Sequence, residues 1–158
     1  MIASTHLAVG AAAGLAIQRC LSLDTSDPEK LFWSFAAGFA SHLVLDALPH
    51  KEYSINGVRL WPVLLLEIGI VFALVLSSKN SLPLNLLLFL GMAGGALPDV
   101  IELVYDYMFK WPWLNNLGRV IHLSHYGSQN YAGYVFNFYF QIILALLSVV
   151  FVRIKPAS

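Results

Sequence analysis

Five long apolar stretches, separated by short charged connections, constrain this chain more than any other feature of its sequence. Each stretch has 17 to 19 residues and at most one charged side chain. They cover 2–18, 31–48, 60–78, 80–98 and 134–152. A helix needs about 20 apolar residues to cross a hydrocarbon core about 30 Å thick, and charged groups at that depth are costly. The sequence therefore predicts an all-α fold: a single integral membrane domain, a polytopic bundle of about five transmembrane helices.

The composition agrees with a membrane location. Hydrophobic residues make up 58% of the chain and charged residues 11%, whereas soluble domains have about 45 to 50% and about 25%. The 9 Lys and Arg side chains balance the 9 Asp and Glu side chains without a basic cluster, which argues against a nucleic-acid partner. We therefore expect an integral protein of the inner (plasma) membrane, with membrane lipid as its surroundings. The first stretch lacks the positively charged start of a signal peptide, so it is predicted to be a retained helix.

The connections between the stretches differ in character. Residues 18–30 are predicted to form a solvated loop, because they are rich in charged side chains. Residues 105–133 contain too many aromatic side chains for a free loop and are predicted to lie on the membrane surface. Pro49 and Pro98 are each expected to end a helix. The pairs Gly10/Gly14 and Gly91/Gly95 form small-xxx-small faces, which predict close helix packing.

The ionisable side chains within or beside the apolar stretches are expected to gather at one side of the membrane. In an alternating five-helix topology, the start of helix 1, the ends of helices 2 and 4, and the connections after them share one face. All five histidines fall on that face, and so do several carboxylates. The set consists of His6, His42, Asp46, His50, Glu67, Asp99, Glu102, His122 and His125.

The spacing of these groups is typical of metal ligands. His42 and Asp46 are four residues apart, so they share one face of helix 2, as the two histidines of a helical H-E-x-x-H motif do. Two further pairs are three residues apart: Asp99 with Glu102, and His122 with His125. A simpler interpretation makes His42 and Asp46 a buried pair that joins two helices, and makes Glu67 a protonated group in a helix–helix hydrogen bond.

The available donor atoms limit the kind of metal. Cys20 is the only cysteine, so a site must use nitrogen and oxygen ligands, which suit zinc, with manganese or iron possible. More than four candidate ligands predict two or more ions, an arrangement that typically serves phosphoester or amide hydrolysis. A transport path would instead distribute acidic groups through the membrane depth, whereas these candidates occupy one half of it.

Three short motifs resemble a known family. Thr5-His6, the Gly38-to-Asp46 element with Ser41-His42 followed by Pro49, and the Gly95-to-Asp99 element with Pro98 look like the membrane-bound metal-dependent hydrolases of bacteria and archaea. The Ser-His-x-x-x-Asp pattern is also similar to ligand pairs of zinc-dependent phospholipase C and P1-type nucleases. This resemblance implies that His6, His42, Asp46 and Asp99 are metal ligands. It implies the same for His122 and His125, which are the nearest match to the family's histidine pair.

The sequence thus predicts a membrane-embedded metal-dependent hydrolase with ligands that suit zinc, acting on a phosphoester such as a phospholipid or a lipid-linked phosphate. His50 is included as a seventh candidate ligand. Arg119 is predicted to pair with a phosphate oxygen, and Glu102 or Glu67 to accept a proton or to orient a ligand histidine. Two alternatives remain at this point: a non-enzymatic membrane protein clamped by one metal or a His/Asp network, and a small metal-ion transporter.

Overall fold

The computed structural model describes residues 3–21, 24–47, 65, 69–74, 82–121 and 138–154, and the regular secondary structure of these residues is entirely helical. The predicted all-α class is confirmed. The five longest helices are α1 (Ala3–Cys20), α2 (Asp27–Ala47), α3 (Leu82–Tyr107), α4 (Pro112–Ile121) and α5 (Phe138–Arg153). Residues 69–74 are also helical. Four helices therefore overlap four of the predicted apolar stretches, and α4 lies in the aromatic connection.

Helix α1 extends to Cys20 and helix α2 begins at Asp27, so the prediction of a loop over residues 18–30 is wrong for its first three and last four residues. A capping box explains the early start. The Glu29 carboxylate accepts hydrogen bonds from the backbone N–H of Ser26 at 3.0 Å and from its hydroxyl at 2.8 Å. Pro28 in the first turn costs no helical hydrogen bond, because the first N–H groups of a helix have no intrahelical acceptor. The Ser-x-x-Glu spacing is visible in the sequence and was the missed signal.

The two hydrogen bonds from Ser26 lower the pKa of Glu29 below its ordinary value of 4.5. A carboxyl group with a lowered pKa in the folded state stabilises the fold above its ordinary pKa, and this contribution is lost as the pH falls through the folded-state value. We expect Ser26→Ala to return the pKa of Glu29 towards 4.5. Carbon-13 NMR of the labelled carboxyl group measures this, and an unchanged pKa in the variant would contradict the capping role.

Helix α3 continues through Pro98 to Tyr107, so the prediction that this helix ends at Pro98 is wrong. Asp99 and Glu102 consequently lie within the helix rather than after it. Pro98 has no N–H and leaves the Gly94 carbonyl without its usual helical donor, a loss that helices tolerate where neighbouring helices pack closely. Residues 105–107 of the predicted surface segment belong to this helix too.

Contacts along the helices fix their relative directions. Helix α1 is antiparallel to α3, since His6 lies against Gly95 and Gly14 against Gly91. Helices α2 and α3 are parallel: Ser34 donates its hydroxyl to the Leu87 carbonyl at 2.7 Å, and further along α2 the His42 ring contacts Gly95. The start of α1 and the ends of α2 and α3 therefore meet at one end of the bundle, which we call the site end.

Helices α1 and α5 run parallel to each other. At the site end, the Thr5 hydroxyl donates to the Gln141 carbonyl at 3.3 Å. At the opposite end, the Arg19 guanidinium donates to the Ile154 carbonyl at 2.5 Å and lies 4.7 Å from the centre of the Phe151 ring. These contacts join the two helices along their whole length.

A single buried cluster joins the helices, with members from α1, α3, α5 and the segment 69–74. The segment 69–74 contributes Ile70 and Leu74 to this cluster. Among the described residues, one stretch, Asn85–Glu102 of α3, is long and apolar enough to cross a membrane. The helix α5 is also apolar but shorter than this stretch. The prediction of five spans remains a prediction.

Candidate metal centre

Four of the predicted ligands meet at the site end of the bundle. His6 is in the first turn of α1, His42 and Asp46 are in the last two turns of α2, and Asp99 is in the second half of α3. Because α1 is antiparallel to α2 and α3, these positions lie at the same end of the bundle. We call His6, His42, Asp46 and Asp99 the four-residue centre.

Short distances join the side chains of the four-residue centre. One Asp46 carboxylate oxygen lies 2.9 Å from His42 Nε2, and the other lies 3.4 Å from His6 Nε2. Asp99 Oδ1 is 3.9 Å from His42 Nε2. The two imidazole rings are 4.1 Å apart at their centres and tilted by 34°. Ligand atoms of His6, His42 and Asp99 all lie within 4.8 Å of one another, so this group can hold a metal ion.

The orientation of the His42 ring is set by a backbone group. Its Nδ1 lies 2.8 Å from the carbonyl oxygen of Gly95. A carbonyl only accepts hydrogen bonds, so Nδ1 carries the proton and donates it. In the neutral ring, Nε2 then has a lone pair directed towards the Asp46 and Asp99 carboxylates. A carbonyl that accepts a hydrogen bond from the other ring nitrogen, and so fixes the tautomer, is the usual support of a metal-binding histidine.

Glycine at three crossing points lets the helices approach closely enough to form this centre. A Cβ atom added to Gly95 would lie 2.5 Å from the His6 carbonyl oxygen, and one added to Gly10 would lie 2.5 Å from the Gly91 carbonyl oxygen. A Cβ on Gly38 would also collide with the Gly91 backbone. The close packing predicted from the Gly10/Gly14 and Gly91/Gly95 pairs is thus present, and it places His6 of α1 against His42 of α2.

Burial makes the negative charges of the centre costly in free energy. The side chains of His6, His42 and Asp46 are at most 3% exposed, whereas that of Asp99 is 40% exposed. A buried carboxylate is costly unless a positive charge compensates it. A divalent cation bound between the Asp46 and Asp99 carboxylates would balance their two negative charges. The exposed Asp99 is the open side of the centre.

The donor set fits a metal that prefers nitrogen and oxygen ligands. Two imidazoles and one or two carboxylates with an open position form the kind of set that catalytic zinc sites use, and manganese and iron accept the same donors. Cys20, the one thiol, is exposed and lies 14 positions along α1 from His6, about 21 Å at 1.5 Å per residue. It does not contribute to the centre.

Of the remaining predicted site residues, the structure places only the side chain of Glu102 relative to this centre. Glu102 is exposed and lies one turn beyond Asp99 on α3, outside the three-ligand group. Arg119 lies in the second half of α4. Four predicted residues lie outside the described residues: His50, Glu67, His122 and His125.

The sequence interpretation missed two polar contributions near the centre. The Gly95 carbonyl acts as an acceptor, and no sequence pattern marks a backbone acceptor of this kind. Gln141 is fully buried on α5, and its backbone carbonyl accepts from Thr5, the neighbour of His6. Any residue type at position 141 would supply this carbonyl, so the sequence contains no signal for it either. Comparison with protein-family models, curated proteins and solved structures finds no match to this chain.

Proposed function

We propose that this chain is an integral membrane, metal-dependent hydrolase that cleaves a phosphoester of a membrane lipid. The observation that carries the proposal is the convergence of His6, His42, Asp46 and Asp99 from three helices into a buried centre with one exposed side. The resemblance of the same residues to membrane-bound metal-dependent hydrolases supports the choice of reaction. Five membrane spans and an inner-membrane location are part of this proposal.

The outer surface of the bundle supports the membrane part of the proposal. On α5, four large apolar side chains are exposed before Arg153 and recur with helical spacing: Ile143, Leu146, Leu147 and Val150. The stretch Phe138–Arg153 has no charged residue before its last position. A soluble protein rarely exposes a continuous apolar face of this length, whereas a lipid-facing helix requires one.

Each residue of the centre has a proposed role in hydrolysis that follows from its burial. A divalent ion held by His6, His42 and Asp99 would activate water and polarise the phosphoester. Gly95 holds the His42 ring in position, and Asp46 contacts both histidines from the closed side. Asp99 faces the open side, where the substrate would enter.

The groups around the opening have proposed roles of their own. Glu102, one turn beyond Asp99, is proposed to accept the proton from the attacking water, and Glu67 remains an alternative for this role. Arg119 in α4 is proposed to hold a phosphate oxygen. Further ligands from His50, His122 and His125 would complete a site of two or more ions.

The alternative is a structural centre that clamps the helices without catalysis. The 2.9 Å contact between His42 and Asp46 would by itself form a charged hydrogen bond if the imidazole were protonated on both nitrogens. In that case the protein would need no metal, and the centre would only join α1, α2 and α3.

Metal content separates these two functions. We expect the purified wild-type protein to hold at least one zinc, manganese or iron ion per chain, measured by inductively coupled plasma mass spectrometry. The variant His42→Ala should lose most of this metal, because it removes a ligand. Ser148→Ala on α5 is the matched control, since its hydroxyl donates only to the Leu144 carbonyl of its own helix. A wild-type protein without metal would favour the structural clamp.

Catalysis is tested separately by phosphate release from mixed bilayer lipids. The metal-loaded protein should release phosphate or a phosphorylated headgroup, and a chelator should stop the reaction. Readdition of the metal should restore it. Metal-loaded protein that is inactive on every phospholipid and lipid-linked phosphate tested would rule out the hydrolase and leave a metal-clamped structural protein.

A further inference from the structure

Helix α3 extends beyond its neighbours at the site end of the bundle. The 18 residues of α1 and the 21 residues of α2 correspond to about 27 and 32 Å, close to the thickness of a hydrocarbon core of about 30 Å. The 26 residues of α3 correspond to about 39 Å. Asp46 lies one residue before the end of α2, whereas α3 continues for eight residues beyond Asp99, about 12 Å.

The chain leaves this extension through a row of exposed aromatic rings. Phe109 stacks on Trp111 at 4.8 Å between ring centres, and Trp111 stacks on Trp113 at 5.9 Å. All three rings are exposed, and we call them the aromatic stack. Helix α4 then adds Leu117 and Val120, which are also exposed and share a face with Trp113 because they follow it by four and seven residues.

The apolar surface of this region continues the apolar exterior of α3. Leu86, Phe89 and Val100 are exposed and lie on one face of α3, since their spacings of three and fourteen residues are close to whole helical turns. This face runs along the stretch that is long and apolar enough to cross a membrane. An exposed apolar face on a helix of this length, followed in the chain by exposed tryptophan rings, fits the bilayer interface, where tryptophan rings concentrate.

We propose that the aromatic stack and α4 bind the headgroup layer of the bilayer, and that this contact holds the four-residue centre at the depth of lipid phosphates. The second part rests on the proposed function. If the site ends of α1 and α2 mark the boundary of the hydrocarbon core, His6, three residues into α1, lies about 5 Å inside it. The lipid phosphoester lies just outside this boundary, whereas a soluble substrate would have to enter the headgroup layer to reach the centre.

Tryptophan fluorescence tests the surface contact without relying on activity. In the variant Trp33→Phe/Trp61→Phe, the remaining emission comes from Trp111 and Trp113. In phosphatidylcholine and phosphatidylglycerol vesicles, we expect a nitroxide on the lipid headgroup to quench this emission more strongly than bromine near the acyl-chain ends, and iodide in the water to quench weakly. The complementary variant Trp111→Phe/Trp113→Phe supplies the background. Strong quenching by iodide with none by the headgroup nitroxide would overturn the proposal, as would strongest quenching by deep bromine.

The substrate part is tested by comparing a bilayer phospholipid with a soluble short-chain phosphoester. Trp111→Ala/Trp113→Ala should lower the rate on the bilayer lipid about tenfold, because interfacial binding scales with buried apolar area, and should leave the rate on the soluble ester unchanged. Metal content of the variant verifies that the centre is intact. Equal losses on both substrates, or no loss on either, would refute the role in substrate delivery. Inactivity of the wild type on both would refute the hydrolase itself, while the quenching result would still decide the surface contact.

Discussion

Asp46→Asn is expected to remove most of the bound metal and to lower lipid phosphate release by at least about 100-fold, since even loss of a group that only hydrogen-bonds to a ligand lowers metal affinity or activity about 10- to 100-fold. The two carboxylate oxygens of Asp46 face different histidines, one at 2.9 Å from His42 and the other at 3.4 Å from His6. Asparagine keeps the shape but replaces one oxygen by a donor and removes the charge. The buried centre then has one negative charge fewer to hold a cation.

Asp27→Asn is the matched control for this substitution. Asp27 is also on α2, but it lies at the opposite end, is exposed and pairs with Lys30 at 3.8 Å. Surface ion pairs of this kind contribute little to stability. The metal content and the rate of lipid phosphate release should therefore stay at the wild-type level. Retention of both metal and activity in Asp46→Asn would remove Asp46 from the centre and would refute the mechanism proposed above.

Gly91→Ala is expected to have the largest effect on stability, because three helix backbones meet at this residue. A Cβ atom there would lie 2.5 Å from the Gly10 carbonyl oxygen and 3.3 Å from the Ala11 Cα atom, and both are backbone atoms of α1. Gly38 of α2 approaches the same residue from the other side. Overpacking of this kind costs about 1 to 3 kcal/mol. We expect a lower Tm in detergent and a loss of metal, because α1 carries His6.

Gly69→Ala provides the control for glycine replacement in a helix. A Cβ atom at Gly69 meets nothing within 4 Å, and alanine has the higher helix propensity by about 1 kcal/mol. Its Tm should therefore equal or exceed that of the wild type. A Gly91→Ala protein as stable as Gly69→Ala would show that the helices separate at no cost, against the packing described here.

The scarcity of polar groups made the location of the centre predictable. In a chain with 11% charged residues, each histidine or carboxylate near an apolar stretch is costly and needs a reason, so His6, His42, Asp46 and Asp99 stood out without any structure. An alternating topology of successive helices then predicts that these four side chains lie at one end of the bundle. The helix boundaries were less predictable, since Pro98 ends many soluble helices but is accommodated within α3.

Other features depend on distances that a sequence pattern does not contain. The hydrogen bond between His42 and Gly95 requires a particular crossing of α2 and α3, and the glycine pairs indicate only that a close crossing exists. The open side of the centre depends on Asp99, which lies within α3 because the helix continues beyond Pro98. The sequence pattern predicts instead that the helix ends at Pro98 and that Asp99 follows it. The role of Ser26 and Glu29, by contrast, was readable from their spacing.

The directions of the helices have a consequence for the order in which the protein assembles. His42 and Asp46 come from one helix, but His6 and Asp99 are 93 positions apart in the chain, and contacts between such distant residues form late because a long loop must close first. A nascent chain that has inserted α1 and α2 holds three of the four side chains and lacks the exposed one. Metal uptake by the proposed centre would therefore report that α3 has joined α1 and α2.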